Sequence, residues 1–475
     1  MYVLGPLLET PMKKRIYGLE NEFGIAFTSQ GRRTLPSEKV VRYLFEKLIT
    51  TEGFLNVFLE NGARFYLDTG CHPEYATPEC ASPQDVTIYD KAGERILENL
   101  LNYAQTKVRE EGFHGDLAIF KNNTDFVGNS YGCHENYLAE RTADFYYMAE
   151  QLIPFLVTRQ IFTGAGKVFR TRRGTVFHMS QRAQHIRQKI SGTTTNERSI
   201  INTRDEPHAI KEKYRRLHII VGDSNMSEFT TYLKVGTTAI VLQMIEDDFL
   251  TPNLSLRNPV RAIKDISRDL TCREQVPLNN GKKYSALELQ KEYLDLAHRY
   301  YSTRPMSPTA ADILHKWEFV LTKLEEDPIQ LHRHIDWIIK MHLLKAYGER
   351  TKLSPEASSD RMLMIDLQYH DIRRDKGLYY LLERKGQVER ITTDAEVDKA
   401  MVDPPQNTRA KMRGELIKLA KMKRIPYDLD WNYIRIGYLL NLWVKCNDPF
   451  QEENEKVTQL KRRIERSNFK YGYLL

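Results

Sequence analysis

Residues 18–24 read Gly-Leu-Glu-Asn-Glu-Phe-Gly, inside a stretch over residues 15–27 in which polar and apolar side chains alternate. A period of two predicts a β-strand, because successive side chains of a strand point to opposite faces. Glu20 and Glu22 then share one face, about 7 Å apart along the strand, while Leu19 points to the other. The stretch therefore predicts a strand that buries one face and presents two carboxylates on the other.

Two further stretches alternate in the same way. Residues 64–68 place Tyr66 and Asp68 on one strand face, and residues 216–221 place His218 beside Arg216. Patterns with helical spacing lie between these strands. Strands that are interspersed with helices and carry polar side chains on one face predict an α+β fold, built on a curved antiparallel sheet packed by helices.

The chain has 475 residues, which exceeds the usual size of a single domain. Two consecutive prolines within residues 403–407 interrupt any helix, so we predict a large domain over residues 1–405 and a small one over residues 406–475. The whole net charge of +7 lies in residues 406–475, where 15 lysines and arginines stand against 8 acids. A basic domain beside a neutral one indicates an acidic partner, or simply a solvated basic surface.

The sequence also bears on location. No stretch approaches the roughly 20 uninterrupted apolar residues that cross a bilayer, and the first residues lack the pattern of a signal peptide. The five cysteines are few, odd in number and widely spaced, which is typical of a reducing cytosol. We therefore expect a cytoplasmic protein without a membrane span, and either Met1 or Met12 as its native first residue.

The residues with chemical potential begin with the paired carboxylates. Glu20 and Glu22 offer hard oxygen ligands aimed at one point, which suits Mg²⁺. Two solvated acids on an exposed strand are the alternative. His72 and Glu74 add a histidine and a further carboxylate soon after Asp68. A zinc site is not favoured, because the cysteines and histidines of this region lack the spacing of zinc motifs.

Further polar residues lie downstream. Residues 120–136 are rich in glycine and polar side chains and include His134. Arg182 and Arg204 each stand among polar neighbours, and a guanidinium can orient phosphate or carboxylate through two hydrogen bonds. A structural ion pair is the simpler interpretation of each arginine. No phosphate-binding glycine loop is present in the sequence, so any bound ATP must be held by carboxylates, metal and arginines on a sheet.

These motifs together resemble the Pup ligase and depupylase family, which is related to glutamine synthetase and γ-glutamylcysteine synthetase. The resemblance covers almost the whole chain. The segments that carry it are residues 18–24, 66–68, 72–75, 121–136, 201–208, 215–223, 366–371 and 447–450. The resemblance implies a glutamine-synthetase-like cradle, formed by an antiparallel sheet under helices, with a small C-terminal domain beside it.

The resemblance also implies roles for individual residues. Asp68 matches the catalytic aspartate of the family. The positions that match the Mg²⁺–ATP site are Glu20, Glu22, Tyr66, Glu74 and His218. The positions that match phosphate-contacting and other active-site residues are Arg182, Arg204 and His134.

The implied activity is an ATP-dependent ligation. ATP would convert the C-terminal glutamate side chain of Pup, an acidic and disordered modifier protein, to a γ-glutamyl phosphate. A lysine of a target protein would then attack, with Asp68 as the base that removes its proton. Phosphoryl transfer needs positive charge around the phosphate oxygens, which Mg²⁺ and arginines supply.

Three alternatives differ from this reading. A deamidase of the same family carries a long insertion between the first strand and the aspartate, whereas only 45 residues separate Glu22 from Asp68 here, which favours the ligase. A nucleic-acid-binding protein would explain the basic C-terminal region but not the paired carboxylates. A catalytically inactive Pup-binding scaffold would be expected to lack a key carboxylate. The sequence retains all four candidates, Glu20, Glu22, Asp68 and Glu74.

Overall fold

The computed structural model of the protein describes residues 13–29, 32–33, 35–48, 55–125, 128–141, 144–172, 174–194, 197–250, 253–350, 355–436 and 443–466. Met1 and Met12, the two candidate first residues, lie outside these ranges.

Eighteen strands lie within the described residues. The first nine are β1 (Tyr17–Glu22), β2 (Gly24–Ser29), β3 (Arg32–Arg33), β4 (Asn56–Phe58), β5 (Arg64–Asp68), β6 (His72–Ala76), β7 (Asp116–Phe120), β8 (Cys133–Glu140) and β9 (Lys167–Thr171). The other nine are β10 (Gly174–His178), β11 (Gln188–Ser191), β12 (Ser199–Asn202), β13 (Tyr214–Ile219), β14 (Gln275–Pro277), β15 (Lys283–Ser285), β16 (Tyr427–Asp430), β17 (Tyr433–Ile436) and β18 (Trp443–Lys445).

The described residues also form fourteen α-helices. The first seven are α1 (Ser37–Glu46), α2 (Pro83–Glu110), α3 (Phe145–Thr158), α4 (Gln160–Thr163), α5 (Glu228–Glu246), α6 (Pro259–Arg268) and α7 (Ala286–Ser302). The other seven are α8 (Pro308–Glu326), α9 (Asp336–Arg350), α10 (Pro355–Tyr369), α11 (Leu378–Arg384), α12 (Asp394–Ala400), α13 (Ala410–Lys423) and α14 (Glu455–Arg466). Among these helices, none combines the length and the apolar character needed to cross a membrane.

One eight-stranded sheet organises the fold, in the order β11-β12-β13-β8-β1-β6-β5-β4. Every neighbouring pair is antiparallel except β11 and β12, which are parallel. Helices α2, α3 and α5 pack together over one face of this sheet and share its largest hydrophobic core. The α+β prediction, with an antiparallel sheet packed by helices, is confirmed.

The strand predicted over residues 15–27 is in fact two strands. β1 ends at Glu22, and β2 joins β3 and β7 in a separate three-stranded sheet. Phe23 lies at the break, where its backbone amide donates to the carbonyl of Pro73 and its side chain enters a second hydrophobic core. The alternation of side chains continues through the break, so the sequence pattern alone did not reveal it.

Helix α2 holds β1 and β6 from behind. Its N-terminus is capped by Ser82, whose side chain accepts from the Asp85 amide, and Pro83 occupies the first turn, where its missing N–H costs nothing. At Gly93 a side chain would lie 2.5 Å from the ring of Tyr75 on β6. Glycine is therefore the residue that lets this helix approach the sheet closely.

A separate hydrophobic cluster lies in the C-terminal part of the chain. It is formed by residues of α13, β17, β18 and α14, with Cys446 after β18, and includes Leu416, Ile434, Val444 and Leu460. None of the cluster's buried members precedes Met412. This small core is consistent with the division predicted at residues 405 and 406, which stays a prediction.

Buried charges join this C-terminal part to the large sheet. Glu79, which follows β6, accepts from the guanidinium groups of both Arg409 and Arg413, and all three side chains are buried. Burial by itself raises the pKa of Glu79, but the two arginines outweigh it and lower that pKa to about 2. Two of the basic residues that give the C-terminal region its surplus charge thus share one internal carboxylate, which offsets one of their two charges.

This ion pair predicts a specific loss of stability. Replacing Glu79 by Gln leaves two buried guanidinium groups unpaired, which typically costs about 3–5 kcal/mol. We expect the free energy of unfolding, measured in urea, to fall by that order. The contribution of Glu79 should be fully present above pH 4.5, its ordinary pKa, and fade as the pH falls towards 2, because protonation breaks the pair.

The matched control is Glu415→Gln, which removes a partly exposed ion pair with Lys461. Partly exposed pairs contribute about 0–1 kcal/mol. Equal losses in the two variants would contradict the anchoring role of Glu79.

Candidate active site

The register of the large sheet gathers acidic side chains on the face opposite α2 and α5. Glu22 on β1 lies directly opposite Glu74 on β6, and Tyr66 on β5 lies opposite Glu74 in turn. On the other side of β1, Glu20 lies opposite His134 of β8. Because directly opposed residues share a sheet face, residues far apart in sequence converge on one surface.

Glu22, Asp68 and Glu74 form the first of two compact groups. One carboxylate oxygen from each lies within 4.8 Å of the others. Tyr66 donates a hydrogen bond to Glu74, and the Gly132 amide donates to Glu22 at 2.6 Å. Three hard oxygen ligands with this spacing can hold a divalent cation.

The electrostatics of this group favour a cation. Burial raises the pKa of Glu22, and Asp68 adds to this effect against the opposing charges of His134 and Arg182. Burial raises the pKa of Glu74 well above its usual range, with Glu20 and Glu22 pushing the same way. Carboxylates that repel one another in a buried site gain most from a shared positive ion.

Glu20, His134 and His218 form the second group, again with one candidate ligand atom from each within 4.8 Å. Glu20 contacts Nδ1 of His134 at 3.2 Å and accepts from Asn136 at 3.1 Å. Burial raises the pKa of Glu20, but the His134 hydrogen bond and the charge of Arg216 outweigh it and hold that pKa well below its usual range.

His218 has a defined protonation pattern. Its Nδ1 lies 3.1 Å from a guanidinium nitrogen of Arg216, and arginine only donates, so Nδ1 accepts and the proton sits on Nε2. Burial and the neighbouring Arg216 keep its pKa well below the usual value, so the ring is neutral. Nε2 is buried without a hydrogen-bond partner and lies 3.8 Å from Glu20. Metal binding through Nε2 needs the opposite tautomer, and the metal role of His218 stays a prediction.

The two arginines singled out in the sequence occupy different environments. Arg182 is buried, donates to the carbonyl of Tyr131, and leaves its Nε without a partner. The positive charge of Arg182 lowers the pKa of Glu22, against the effect of burial. Arg204 is half exposed and pairs with Glu206 at 3.6 Å, and its positive charge helps to lower the pKa of His218. Both lie near the carboxylate face, and their phosphate-binding role stays a prediction.

A pocket opens at the end of this face nearest the start of β1. Its walls come from Gly18 to Glu20, from the segment after β6 that includes Thr77, from Arg216, and from Trp431 of the C-terminal part. The lining is mostly apolar and includes one indole ring. A pocket of this kind can hold a planar ring system next to the charged groups of the face.

Several residues of this site were not predicted as site residues. Gly132 is needed because a side chain there would lie 2.5 Å from both Glu22 and His134; the glycine-rich composition of its segment was the available signal. Asn136 donates a hydrogen bond to Glu20, and Arg216 donates one to His218. Trp431 lies in an aromatic-rich stretch of the sequence, but that stretch did not indicate this pocket, because Trp431 reaches it from a different part of the chain.

The described residues bring no cysteine into either possible metal site. The two groups whose ligand atoms are close enough to hold a metal contain carboxylates and histidines but no cysteine. All five cysteines are free thiols, and four of them are buried.

Comparisons with known proteins agree on one family. A family model described as "Pup-ligase protein" matches residues 15–435. The Pup–protein ligase of Kribbella flavida is 50% identical over 451 residues, which cover 94% of this chain and 99% of that protein. The Pup–protein ligase of a Nocardioides species is 49% identical over 451 residues, with the same coverage.

Solved structures show the same similarity. The ligase PafA in its complex with the prokaryotic ubiquitin-like protein Pup matches with a TM-score of 0.90 at 36% identity, covering 95% of this chain and 91% of that chain. PafA in complex with ADP matches with a TM-score of 0.82 at 36% identity, covering 92% of this chain and 96% of that chain.

The two ligand groups predict divalent-cation binding that depends on both glutamates of β1. We expect Glu20→Gln and Glu22→Gln each to weaken Mg²⁺ binding by about 10-fold or more, the scale on which supporting residues of metal sites act. Isothermal titration calorimetry of the purified variants measures this directly. Glu150→Gln, which removes an exposed partner of Lys189, should bind like the unmodified protein. Unchanged affinity in both β1 variants would contradict the site.

Proposed function

This chain belongs to the Pup-ligase family, and from that premise we propose how its sheet face carries out the ligation. The protein is an ATP-dependent carboxylate–amine ligase that joins Pup to target proteins. We propose that the C-terminal glutamate side chain of Pup is activated as a γ-glutamyl phosphate and transferred to target lysines. The observation that carries this proposal is the convergence of Glu22, Asp68 and Glu74 at the end of β1, beyond the pocket at Gly18 to Glu20.

The nucleotide would lie along β1. The adenine ring would occupy the apolar pocket beside Trp431, where an indole can stack on a base. The phosphates would then extend over Glu20 towards Glu22, passing Arg216 and His134. This direction would bring the γ-phosphate next to the group formed by Glu22, Asp68 and Glu74.

The residues present fit Mg²⁺. The carboxylates supply hard oxygens, burial and then neighbouring acids raise the pKa of Glu22 and Glu74, and Tyr66 orients Glu74 by donating a hydrogen bond. Glu20, Glu22 and Glu74 would hold the metal, with Tyr66 and His218 beside them. Bound Mg²⁺ supplies positive charge that offsets the phosphate oxygens during phosphoryl transfer.

The chain's own cations complete the charge balance. Arg182 lies behind Glu22 with an unpaired Nε, and Arg204 lies at the surface near His218. Guanidinium groups placed on two sides of the phosphates would neutralise charge that spreads as the terminal phosphoryl group leaves ADP. His134, hydrogen-bonded to Glu20, would contact the phosphates from β8.

Asp68 would act in the second step. It lies at the end of β5, and it is less buried than Glu22 and Glu74, so a lysine arriving from solvent can reach it. The lysine ammonium must lose a proton before its nitrogen attacks the acyl phosphate. The Asp68 carboxylate would position the ammonium and accept that proton, after which the amide bond forms and phosphate leaves.

The two parts of the chain would share the work. We propose that residues 1–405 form the catalytic domain and residues 406–475 a small domain, which contributes Trp431 and Arg409 to the nucleotide pocket. The surplus positive charge of the small domain would favour approach of acidic Pup. A cytoplasmic location is proposed as well, on the support of five free thiols.

A conjugation assay tests the function. Purified protein incubated with ATP, Mg²⁺, Pup ending in glutamate and a lysine-bearing protein should yield a conjugate with the mass of Pup added less one water. Pup ending in glutamine should release little ammonia, because deamidation requires a nucleophile to attack the amide carbon, whereas the proposed reaction uses the substrate carboxylate itself to attack the γ-phosphate. Rapid ammonia release without any conjugate would instead indicate a deamidase.

The role of Asp68 predicts a separation of binding from catalysis. Asp68→Asn keeps the shape of the side chain but removes the base, so conjugation should fall by about 10²-fold or more. Nucleotide affinity, measured by calorimetry, should stay close to that of the unmodified protein. Raising the pH should restore part of the rate, since free lysine amine then becomes more abundant.

The control is Asp116→Asn, on the exposed side of β7, which should leave conjugation unchanged. Loss of nucleotide binding in Asp68→Asn would show that Asp68 acts as a metal ligand, as its place beside Glu22 and Glu74 also allows.

A further inference from the structure

Two arginines beyond Glu22 are anchored on consecutive carbonyl groups. Arg182 donates to the carbonyl of Tyr131, and Arg198 donates to the carbonyl of Ser130 at 3.0 Å. The next residue along, Gly132, donates its amide to Glu22. The two guanidinium groups therefore lie close enough to the carboxylate that ends β1 for its charge to act on both.

A third arginine joins them. The amide of Arg187 donates to the carbonyl of Arg198 at 3.0 Å. His185 lies among all three arginines: burial, then Arg198, Arg182 and Arg187, lower its pKa to about 4. The histidine is therefore neutral at physiological pH and adds no charge, so the three guanidinium groups are the positive charge of this cluster.

Glu22 offsets part of this charge from nearby, but within the part of the chain that the structure describes no carboxylate pairs directly with the cluster. None of the three arginines forms an ion pair there, in contrast to Arg409 and Arg413. Asp125 raises the pKa of His185, against the effect of the three arginines. Its carboxylate accepts hydrogen bonds from the amide and the side chain of Asn129, at 2.8 and 2.7 Å.

Two features indicate that the cluster is built to receive an anion. The Nε of Arg182 and the hydroxyl of Ser130 are both buried without a hydrogen-bond partner, and such atoms are costly unless a ligand satisfies them. Arg198 adopts φ of +33°, a left-handed conformation that a non-glycine residue avoids unless its surroundings impose it.

The position of the cluster identifies the anion. The base pocket lies at the Gly18 end of β1 and the arginines lie past its Glu22 end. In phosphoryl transfer the acceptor approaches in line, on the side opposite the departing nucleotide. The acceptor carboxylate of the peptide therefore comes from the arginine side. A C-terminal glutamate carries a second carboxylate, on its main chain, which must be held there as well.

We propose that Arg187 and Arg198, with the hydroxyl of Ser130, bind the main-chain carboxylate of the C-terminal glutamate. Arg182, closest to Glu22, serves the phosphate. This inference rests on the proposed function and deepens it, because it explains why the substrate must end in glutamate. With the terminal carboxylate held by arginines, only the side-chain carboxylate can reach the γ-phosphate.

The test compares two forms of Pup. One ends in glutamate and the other in isoglutamine, which keeps the side-chain carboxylate and replaces the main-chain carboxylate by an amide. The unmodified protein should prefer the glutamate form in kcat/KM by about 10²-fold, the scale of charge-assisted hydrogen bonds to a carboxylate. Arg198→Gln and Arg187→Gln should each lower kcat/KM for glutamate by about 10-fold or more and leave the isoglutamine rate almost unchanged, so the preference shrinks.

Controls separate this effect from misfolding. Arg187 is exposed, so its replacement leaves the core intact, and nucleotide affinity without Pup should be unaltered in both variants. Arg299→Gln, on the exposed side of α7, should retain the full preference. If both cluster variants keep that preference, or the unmodified protein shows none, the inference is wrong. Failure of the unmodified protein to conjugate Pup at all would overturn the proposed function and this inference with it.

Discussion

The register of β1 between β6 and β8 is the constraint on which the rest of this structure depends. Side chains of a strand alternate between faces, so a slip of one residue would turn Glu20 and Glu22 into the hydrophobic core and Leu19 towards solvent. The pairing of Glu22 with Glu74, and of Glu20 with His134, fixes that register. A structural requirement, burial of the opposite face, therefore also assembles the carboxylates.

Keeping several acids on one sheet face requires support from behind. Asn21, between the two glutamates, points into the helical layer, where it donates to Asp90 and accepts from Ser224. Lys121 then neutralises Asp90 at 2.6 Å. The hydrogen-bonded polar groups behind β1 hold the strand in place. The acids on the front face repel one another, and a bound cation would reduce that repulsion. The positive charge that this acidic face lacks is therefore the charge that a bound cation would bring.

The order of chemical groups along β1 gives the proposed reaction a direction. The apolar pocket comes first, the two carboxylate groups follow, and arginines that form no ion pair among the described residues lie beyond Glu22. A nucleotide and a peptide that meet head to head fit this order, with the departing ADP at one end and the acceptor carboxylate at the other. A third participant, the lysine, needs a route from solvent, which the partly exposed Asp68 provides.

The sequence by itself determined what is local. Alternation showed that Glu20 and Glu22 share a face, and the resemblance of long motifs indicated the family, because motif residues are read without knowing their partners. Tertiary structure alone decided that β1 stops at Phe23, that Asp68 and Glu74 meet Glu22, and that Trp431 closes the pocket. These depend on strand pairing and packing between segments from 46 to about 400 residues apart, and periodicity carries no information about which distant strand becomes a neighbour.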